Sequence, residues 1–361
     1  MNLVMKNGEP SNPQPTASKK ILLVKITSMG DLIQTLPALT DATKAFPGIN
    51  FDWVVDESFQ EIPRLHPSVD KTIVFPYRRW KKNKWKAWQS GEVSQFLKEL
   101  RSVDYDMVID VQSNIKSAIL SLFTKGRTHG LDSQSVHEYG AHFAYSKKIT
   151  INRQQNHAER VRQMMAKFLG YKIPQDQADY GVNSSLLPSL DFSLPEKFIM
   201  AIPIASTINK LWPEPYWQQV IQDLVRSDYD VILPWWSNEE KARALRLKNS
   251  NPRIHLLPPL NLTQKASVLA RAQAVISIDT GLAHMAGMLN IPNICIYGSS
   301  NPLLCGTIGH KQIHLTARGL ACSPCSSSQC TYQGLSQYKP ACLETIKPQQ
   351  VLTSLYELLA S

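Results

Sequence analysis

The sequence contains no long apolar run. None of its 361 residues lies in a stretch of about 18 consecutive apolar side chains, the length that a membrane-spanning helix needs. Residues 1–20 are polar and rich in proline, asparagine and serine, and they lack the apolar core of a secretory signal peptide. We therefore expect a flexible tail at residues 1–20, no export and no membrane-spanning segment, which predicts a cytoplasmic location.

Cysteine is scarce, with six residues in the chain. They are too few and too clustered for the disulfide scaffold of a secreted protein of this size, so reduced thiols are expected. The spacing Cys322-x2-Cys325-x4-Cys330-x11-Cys342 can hold a tetrahedral metal ion or pair as disulfides, and the sequence leaves both open. Because no acid or histidine suited to catalysis is nearby, we expect this segment to be structural and remote from any reaction.

The absence of one motif and the small number of acidic residues limit the classes of function that are possible. The GxGxxG motif is absent, which argues against a nucleotide-dependent oxidoreductase. Acidic residues number 29 against 39 lysines and arginines, giving a formal net charge of +10. Such an excess favours an anionic partner, whether nucleic acid, a phosphorylated substrate or an anionic membrane face. A basic RNA- or membrane-binding α/β protein without enzymatic activity therefore stays open as an alternative.

Short apolar strands alternate with amphipathic helices almost throughout the chain. This pattern predicts parallel sheets covered by helices on both faces, an α/β fold. Serine and proline are concentrated around residues 183–195. We expect two doubly wound, Rossmann-like domains over 21–185 and 197–346, a linker at 186–196 and a C-terminal helix at 347–361. The expected strands are 21–26, 51–55, 72–75, 105–111, 198–204, 231–235, 254–257, 274–279 and 293–297.

A glycine-containing turn ending in a carboxylate follows the first expected strand. In open α/β sheets ligands bind beyond the carboxyl ends of the strands, so the segment "TSMGD" (27–31) is placed for a binding site. Gly30 permits a tight turn or a close backbone approach. Asp31 is either a helix cap, worth about 0.5–2 kcal/mol, or a catalytic carboxylate, and its position alone does not decide.

Two later strand ends have polar residues suited to a diphosphate. "DTG" (279–281) begins a helix that carries His284, and free amides at a helix start bind phosphate groups. A simple helix cap with a buried His284 is the alternative. Near residues 201–217, Lys210 follows two hydroxyl side chains and can neutralise a leaving diphosphate, unless it is only a solvated surface lysine.

The segment "RRWKKNKWK" (78–86) has six cations and two tryptophans in nine positions. Phosphate contacts and aromatic stacking would suit nucleic acid. A phosphorylated lipid at a membrane surface, with tryptophans at the interface, is a second interpretation. A solvated basic loop is the third.

Several segments in consistent order resemble the ADP-heptose:lipopolysaccharide heptosyltransferases, glycosyltransferase family 9. The resemblance covers about residues 20–305 and is carried by "VKITSMGDLIQTLPAL", "FDWVVDE", "VIDVQSNIKSA", "KLWPEPYW", "ISIDTGLAH" and "IYGSSNP". "FDWVVDESF", "FPYRRWKK" and "LPWWSNEEKARAL" resemble the heptosyltransferase I branch, which adds the first heptose to Kdo2-lipid A. The cysteine segment is more like heptosyltransferase II, so that enzyme or another family 9 sugar transferase stays an alternative.

The resemblance implies a GT-B architecture, in which the two Rossmann-like domains face each other across a cleft. It implies an inverting, metal-independent transfer from ADP-heptose that uses no cofactor. By the same resemblance Asp31 is the general base and Lys210 meets the charge of the departing ADP. The implied donor-binding residues are Ser28, Gly30, Ser206, Thr207, Lys210, Glu240, Asp279, Thr280, Gly281 and His284.

The implied acceptor is Kdo2-lipid A, with no nucleic acid partner. Such an acceptor lies in an anionic leaflet, so we expect a Gram-negative bacterial enzyme peripheral on the cytoplasmic face of the inner membrane. The expected acceptor-binding residues are Arg78, Arg79, Lys81, Lys82 and Gln112.

Overall fold

The computed structural model describes residues 19–360, which form two parallel six-stranded sheets. The predicted tail therefore lies outside the described residues except for Lys19 and Lys20, and Lys20 begins the first strand. No helix among the described residues is both long enough and apolar enough to cross a membrane.

The first sheet has the strand order β3-β2-β1-β4-β5-β6. Its strands are β1 (Lys20–Val24), β2 (Asn50–Asp56), β3 (Val69–Phe75), β4 (Met107–Asp110), β5 (Thr128–Leu131) and β6 (Lys147–Ile149). The accompanying helices are α1 (Met29–Ile33), α2 (Leu36–Ala45), α3 (Tyr77–Lys82), α4 (Lys84–Gln89), α5 (Glu92–Leu100), α6 (Ile115–Leu122) and α7 (His157–Leu169). In register, Leu22 of β1 lies between Asp52 of β2 and Val108 of β4.

The second sheet has the order β12-β11-β10-β7-β8-β9, which is the same doubly wound order as the first. Its strands are β7 (Phe198–Ile202), β8 (Asp230–Leu233), β9 (Ile254–Leu256), β10 (Ala274–Ile278), β11 (Asn293–Tyr297) and β12 (Gln312–Thr316). The helices are α8 (Glu214–Arg226), α9 (Asn238–Lys248), α10 (Leu262–Leu269), α11 (Gly281–Met288), α12 (Pro302–Cys305), α13 (Ala341–Glu344) and α14 (Pro348–Ala360).

Both sheets are buried on both faces, which explains their continuous apolar strands. In the first domain Leu23 of β1 packs in an apolar cluster with α2 and α7, whereas its neighbour Leu22 packs in a cluster with α5. In the second domain Met200 of β7 packs with α10 and α11, and Ile199 packs with α8 and α14. The predicted α/β class with two Rossmann-like sheets is therefore confirmed.

All the predicted strands exist, with ends displaced by a few residues, but three observed strands were missed. β5, β6 and β12 have the sequences THGL, KKI and QIHLT. Two of these are the outermost strands of their sheets, and all three contain polar side chains or glycine, so none gives the apolar run that predicts a buried strand.

Candidate active site between the two domains

The two domains meet where the first turns of α1 and α11 pack against each other. A Cβ on Gly30 would lie 2.6 Å from Cδ2 of His284, and one on Gly281 would lie 2.5 Å from Sδ of Met29. Each helix start therefore needs a glycine because the partner helix occupies the space of a side chain. Of the two uses that the sequence allows for Gly30, the structure shows the close approach.

Asp31 is the third residue of α1 and lines the cleft. Its Oδ2 accepts a hydrogen bond from the backbone N–H of Ser28 at 3.2 Å and lies 3.2 Å from Nζ of Lys25. Its Oδ1 has no hydrogen-bond partner among residues 19–360, and 36% of the side chain is exposed. The two interpretations of Asp31, a helix cap and a catalytic carboxylate, are therefore compatible, since Oδ2 accepts the capping hydrogen bond while the residue lines the cavity.

Lys25 lowers the pKa of Asp31, and sequence reasoning missed this lysine. Burial raises the pKa of Asp31, but the Lys25 ammonium and the Ser28 amide outweigh it and hold that pKa well below its usual range. The Lys25 side chain is only 3% exposed. Gln112 fixes the turn between them, because its Oε1 accepts hydrogen bonds from the backbone N–H groups of Ile26 and Thr27.

Lys210 lies on the opposite wall, in a 3-10 turn at Ile208–Lys210. Its Nζ is 2.7 Å from Oδ2 of Asp279, a buried carboxylate that follows β10. The next residue, Thr280, immediately precedes α11, and its side chain makes no capping hydrogen bond. The Thr280 hydroxyl and the first amides of α11 therefore stay available beside the Lys210 ammonium, as a bound phosphate group requires.

A first chamber of about 530 Å³ lies between the domains. It brings together every predicted donor-binding residue except Thr207. These residues are Ser28, Gly30, Ser206, Lys210, Glu240, Asp279, Thr280, Gly281 and His284. Glu240 also caps α9, accepting hydrogen bonds from the backbone N–H groups of Trp236 and Ser237. Burial lowers the pKa of His284, so its ring is neutral at neutral pH.

A second chamber of about 680 Å³ adjoins the first. Asp31 and Lys210 line both chambers, so the two cavities meet at these side chains. Thr207 and Gln112 lie in the second chamber, together with Lys25, Arg153, Arg160 and His157. Burial and the nearby Lys25 lower the pKa of His157 to about 3, so this histidine is neutral.

The second chamber is strongly basic, and this was not predicted. Asp31 is the only carboxylate among its described lining residues, against four lysines and arginines. Arg160 donates to the backbone carbonyl of Ser135 at 3.2 Å, while its Nε has no partner among residues 19–360. The signal in the sequence is "NRQQNHAER" (152–160), whose two arginines come just before and within the first turn of α7.

The expectation that the cysteine segment is remote from the site is wrong. Residues 326–328, between Cys325 and Cys330, line the second chamber, and Asn209 beside Lys210 donates to the backbone carbonyl of Ser327 at 2.8 Å. All six cysteines are free thiols. Within residues 19–360, no three histidine, cysteine or acidic side chains are arranged to hold a metal ion.

The basic segment 78–86 lies in two short helices and contains most of α3 and the first half of α4. Arg78, Lys81 and Lys82 line a third cavity of about 610 Å³ with Thr27, Asp56, Tyr77 and Lys116, which we call the basic pocket. Arg78 also lines the first chamber. Arg79 points elsewhere, and its guanidinium is held by Glu57 at 3.2 Å and Glu92 at 2.7 Å.

Comparison with known proteins identifies the family. The family model "Glycosyltransferase family 9 (heptosyltransferase)" matches residues 93–336, which is more than half of the chain. The chain belongs to glycosyltransferase family 9. The resemblance seen in the sequence motifs is therefore confirmed, and the protein is a glycosyltransferase.

Two curated family 9 relatives differ in their similarity to this chain. Lipopolysaccharide heptosyltransferase 1 of Pseudomonas aeruginosa is 39% identical over 350 residues, which cover 94% of this chain and 98% of the relative. Lipopolysaccharide heptosyltransferase 2 of Escherichia coli is 22% identical over 318 residues, covering 81% of this chain and 86% of the relative.

Solved structures of family 9 members support the architecture. Escherichia coli heptosyltransferase WaaC with ADP matches with a TM-score of 0.82 and 36% identity, covering 94% of this chain and 99% of that chain. WaaC with ADP-2-deoxy-2-fluoro heptose matches with a TM-score of 0.79 and 35% identity, with the same coverage. The predicted GT-B architecture, with two Rossmann-like domains across a cleft, is therefore confirmed.

Proposed function

We propose that this family 9 enzyme transfers heptose from ADP-heptose to the Kdo region of Kdo2-lipid A, with inversion at the anomeric carbon. The observation that carries the proposal is that Asp31 and Lys210 each line both chambers. A donor in one chamber and an acceptor in the other would thus meet at a carboxylate and an ammonium. The similarity to enzymes named heptosyltransferase 1, and to a structure with an ADP-heptose analogue, supports these substrates.

The first chamber suits the donor. Lys210, the Thr280 hydroxyl and the first amides of α11 offer a positive charge and hydrogen-bond donors to a diphosphate. Glu240 at the same chamber can accept from sugar hydroxyls. Because the charge on the β-phosphate grows as the glycosidic bond breaks, Lys210 stabilises the transition state more than bound ADP-heptose. This arrangement supports a transfer that needs no metal.

Asp31 is the general base in this scheme. The acceptor hydroxyl oxygen attacks the anomeric carbon from the face opposite ADP, its proton passes to Oδ1 of Asp31, and ADP leaves with the bonding electrons. Lys25 keeps Asp31 ionised and therefore ready to accept the proton. A carboxylate is basic enough for this step because the hydroxyl becomes acidic as its oxygen forms the new bond.

The acceptor sugars lie in the second chamber in our proposal. Arg153 and Arg160 can pair with sugar carboxylates, since guanidinium groups bind carboxylates in a bidentate manner. The basic pocket then meets the phosphates of the lipid through Arg78, Lys81 and Lys82. This division of charges supports our proposal that the enzyme works at an anionic membrane surface, which we place on the cytoplasmic face of the inner membrane.

A transfer assay with matched acceptors tests the proposal. Purified protein and ADP-heptose are incubated with Kdo2-lipid A, or with the same lipid already carrying its first heptose, each with and without EDTA. We expect one heptose to be added to Kdo2-lipid A, little reaction with the heptosylated lipid, and full activity in EDTA. Transfer only to the heptosylated lipid would indicate the heptosyltransferase II alternative, and loss of activity in EDTA restored by Mg²⁺ would contradict the metal-free mechanism.

A binding experiment separates this enzyme from the non-enzymatic alternative. ADP and a single-stranded RNA are titrated separately into the protein at low and high salt. We expect saturable ADP binding at the first chamber. Tight, salt-sensitive RNA binding without an ADP site would instead favour the basic binding protein.

A further inference from the structure

An apolar groove lies beside the basic pocket on the first domain. Its volume is about 660 Å³, within the ~300–1,000 Å³ of typical ligand sites. The floor is aromatic, because Phe75 stacks on Phe96 with ring centroids 5.1 Å apart and Trp80 packs edge-on against both rings. The opposite wall is one face of α6, including Ile115 and Ile119.

The α6 wall exposes large apolar side chains. Ile119 is 51% exposed, and Ile115 and Phe123 of the same wall are also exposed. Leu122, which lies outside the groove on the same helix, is 61% exposed. Exposed apolar side chains grouped along the wall of a groove are typical of a binding site for another apolar group.

The groove is continuous with the basic pocket. Tyr77 and Lys116 line both cavities, and Nζ of Lys116 lies 4.0 Å from the centroid of the Tyr77 ring. Thr27, in the turn before Asp31, lines the basic pocket as well. A path therefore runs from the catalytic turn through a cationic cavity into an apolar one.

This sequence of surfaces matches the chemistry of one kind of molecule, an anionic headgroup attached to an alkyl chain. We propose that the groove binds an acyl chain of the lipid acceptor while its anionic groups lie in the basic pocket. The proposal rests on the proposed function and deepens it by giving the enzyme a site for the lipid part of its acceptor. The concave aromatic floor suits a single inserted chain, whereas a flat membrane surface cannot fill it.

Arg79 acquires a positioning role in this proposal. Its guanidinium bridges Glu57 and Glu92, and Glu92 also accepts a hydrogen bond from Nε1 of Trp80 at 2.8 Å. These contacts fix α3 against the start of α5 and thereby hold Trp80 in the groove floor.

The test compares Ile119→Gln with the matched control Leu122→Gln. Both positions are exposed on α6, so both variants should fold, and only Ile119 lines the groove. Acceptor KM is measured for Kdo2-lipid A and for its fully deacylated form in micelles of one detergent at fixed concentration. We expect Ile119→Gln to raise the KM for the acylated acceptor by roughly 5- to 10-fold, because a polar side chain at this position buries less apolar surface against the acyl chain.

Measurements with the other substrates, the control variant and vesicles distinguish the ways in which the groove proposal can fail. The KM for the deacylated acceptor and for ADP-heptose should not change in Ile119→Gln, and Leu122→Gln should behave as the wild type. An equal change for both acceptors, or no change for either, overturns the groove proposal. Weaker binding of Ile119→Gln to acceptor-free vesicles of phosphatidylglycerol and phosphatidylethanolamine, with unchanged acceptor KM, overturns it in favour of bulk membrane docking. If the wild type transfers heptose to neither acceptor, the proposed function itself fails.

Discussion

Lys25 and Asp31 form a pair whose ionisation should govern the pH dependence of the enzyme. In Lys25→Met the Ser28 amide still opposes the effect of burial, but the pKa of Asp31 should rise because the opposite charge of Lys25 is lost. Protonated Asp31 cannot accept a proton, so the acid limb of the kcat/KM profile should move to higher pH. Lys44→Met, which removes an exposed lysine 3.0 Å from Asp179, is the control and should leave the profile unchanged. An unmoved acid limb in Lys25→Met would show that Lys25 does not set the ionisation of the base.

Lys210 has two roles that can be separated, since it also neutralises the buried Asp279. Lys210→Ala should lower kcat by about 10²–10³-fold, as loss of a transition-state charge partner does, and raise the KM for ADP-heptose. It should also lower Tm, because a buried carboxylate is left unpaired. In the double variant Lys210→Ala/Asp279→Asn, Tm should recover while activity does not. If both Tm and activity recover, Lys210 is only a structural ion-pair partner of Asp279.

Residues that follow strands could be predicted as site residues, whereas their partners could not. Asp31, Lys210 and Thr280 lie in the segments that follow β1, β7 and β10, at the strand ends where ligands bind in parallel sheets. Lys25 lies within the apolar segment "ILLVKI", which predicts only a buried strand. Its contact with Asp31 depends on how the turn between the two residues folds. Arg160 reaches the second chamber from a helix more than a hundred residues after Asp31, so only the tertiary structure brings the two together.

At the scale of helices, the contact of α1 with α11 should depend on the absence of a side chain at Gly30. The three atoms nearest to a Cβ added at this position would all belong to the His284 ring, the farthest of them at 3.3 Å. Gly30→Ala should therefore destabilise the protein by about 1–3 kcal/mol, the usual cost of overpacking. In a double-mutant cycle measured by chemical denaturation, His284→Ala should relieve most of this cost. Additive effects of the two substitutions would exclude a direct steric conflict.

Two lysines of helix α3 should act on the acceptor alone, because Lys81 and Lys82 line the basic pocket but not the first chamber. Neutralising Lys81 and Lys82 together should raise the acceptor KM and weaken binding to anionic vesicles, since each cation contributes about 1 kcal/mol near such a surface. The KM for ADP-heptose should barely change, and added salt should reproduce the effect in the wild type. Lys84→Gln/Lys86→Gln is the control, because these exposed lysines of α4 lie outside the basic pocket. Unchanged acceptor kinetics and vesicle binding in the Lys81/Lys82 double variant would leave α3 as a solvated basic helix.

Across the whole molecule, the fold was predictable from the alternation of strands and helices, because parallel strands buried on both faces leave continuous apolar segments. How the two domains approach each other was not predictable in this way. The Gly30–His284 and Met29–Gly281 contacts that set this approach join residues about 250 positions apart. The shared lining of the two chambers follows from these contacts, and no local pattern in the sequence encodes it.

In our proposal donor and acceptor meet at Asp31, and this carboxylate removes the acceptor proton. The most direct measurement is single-turnover heptose transfer by Asp31→Asn, with ADP-heptose affinity and Tm determined on the same sample. Asparagine keeps an oxygen that can accept from the Ser28 amide, so the helix start and donor binding should persist. We expect a transfer rate about 10²–10⁴-fold lower than that of the wild type at unchanged donor affinity. A folded Asp31→Asn protein that transfers heptose at nearly the wild-type rate would show that Asp31 is not the general base.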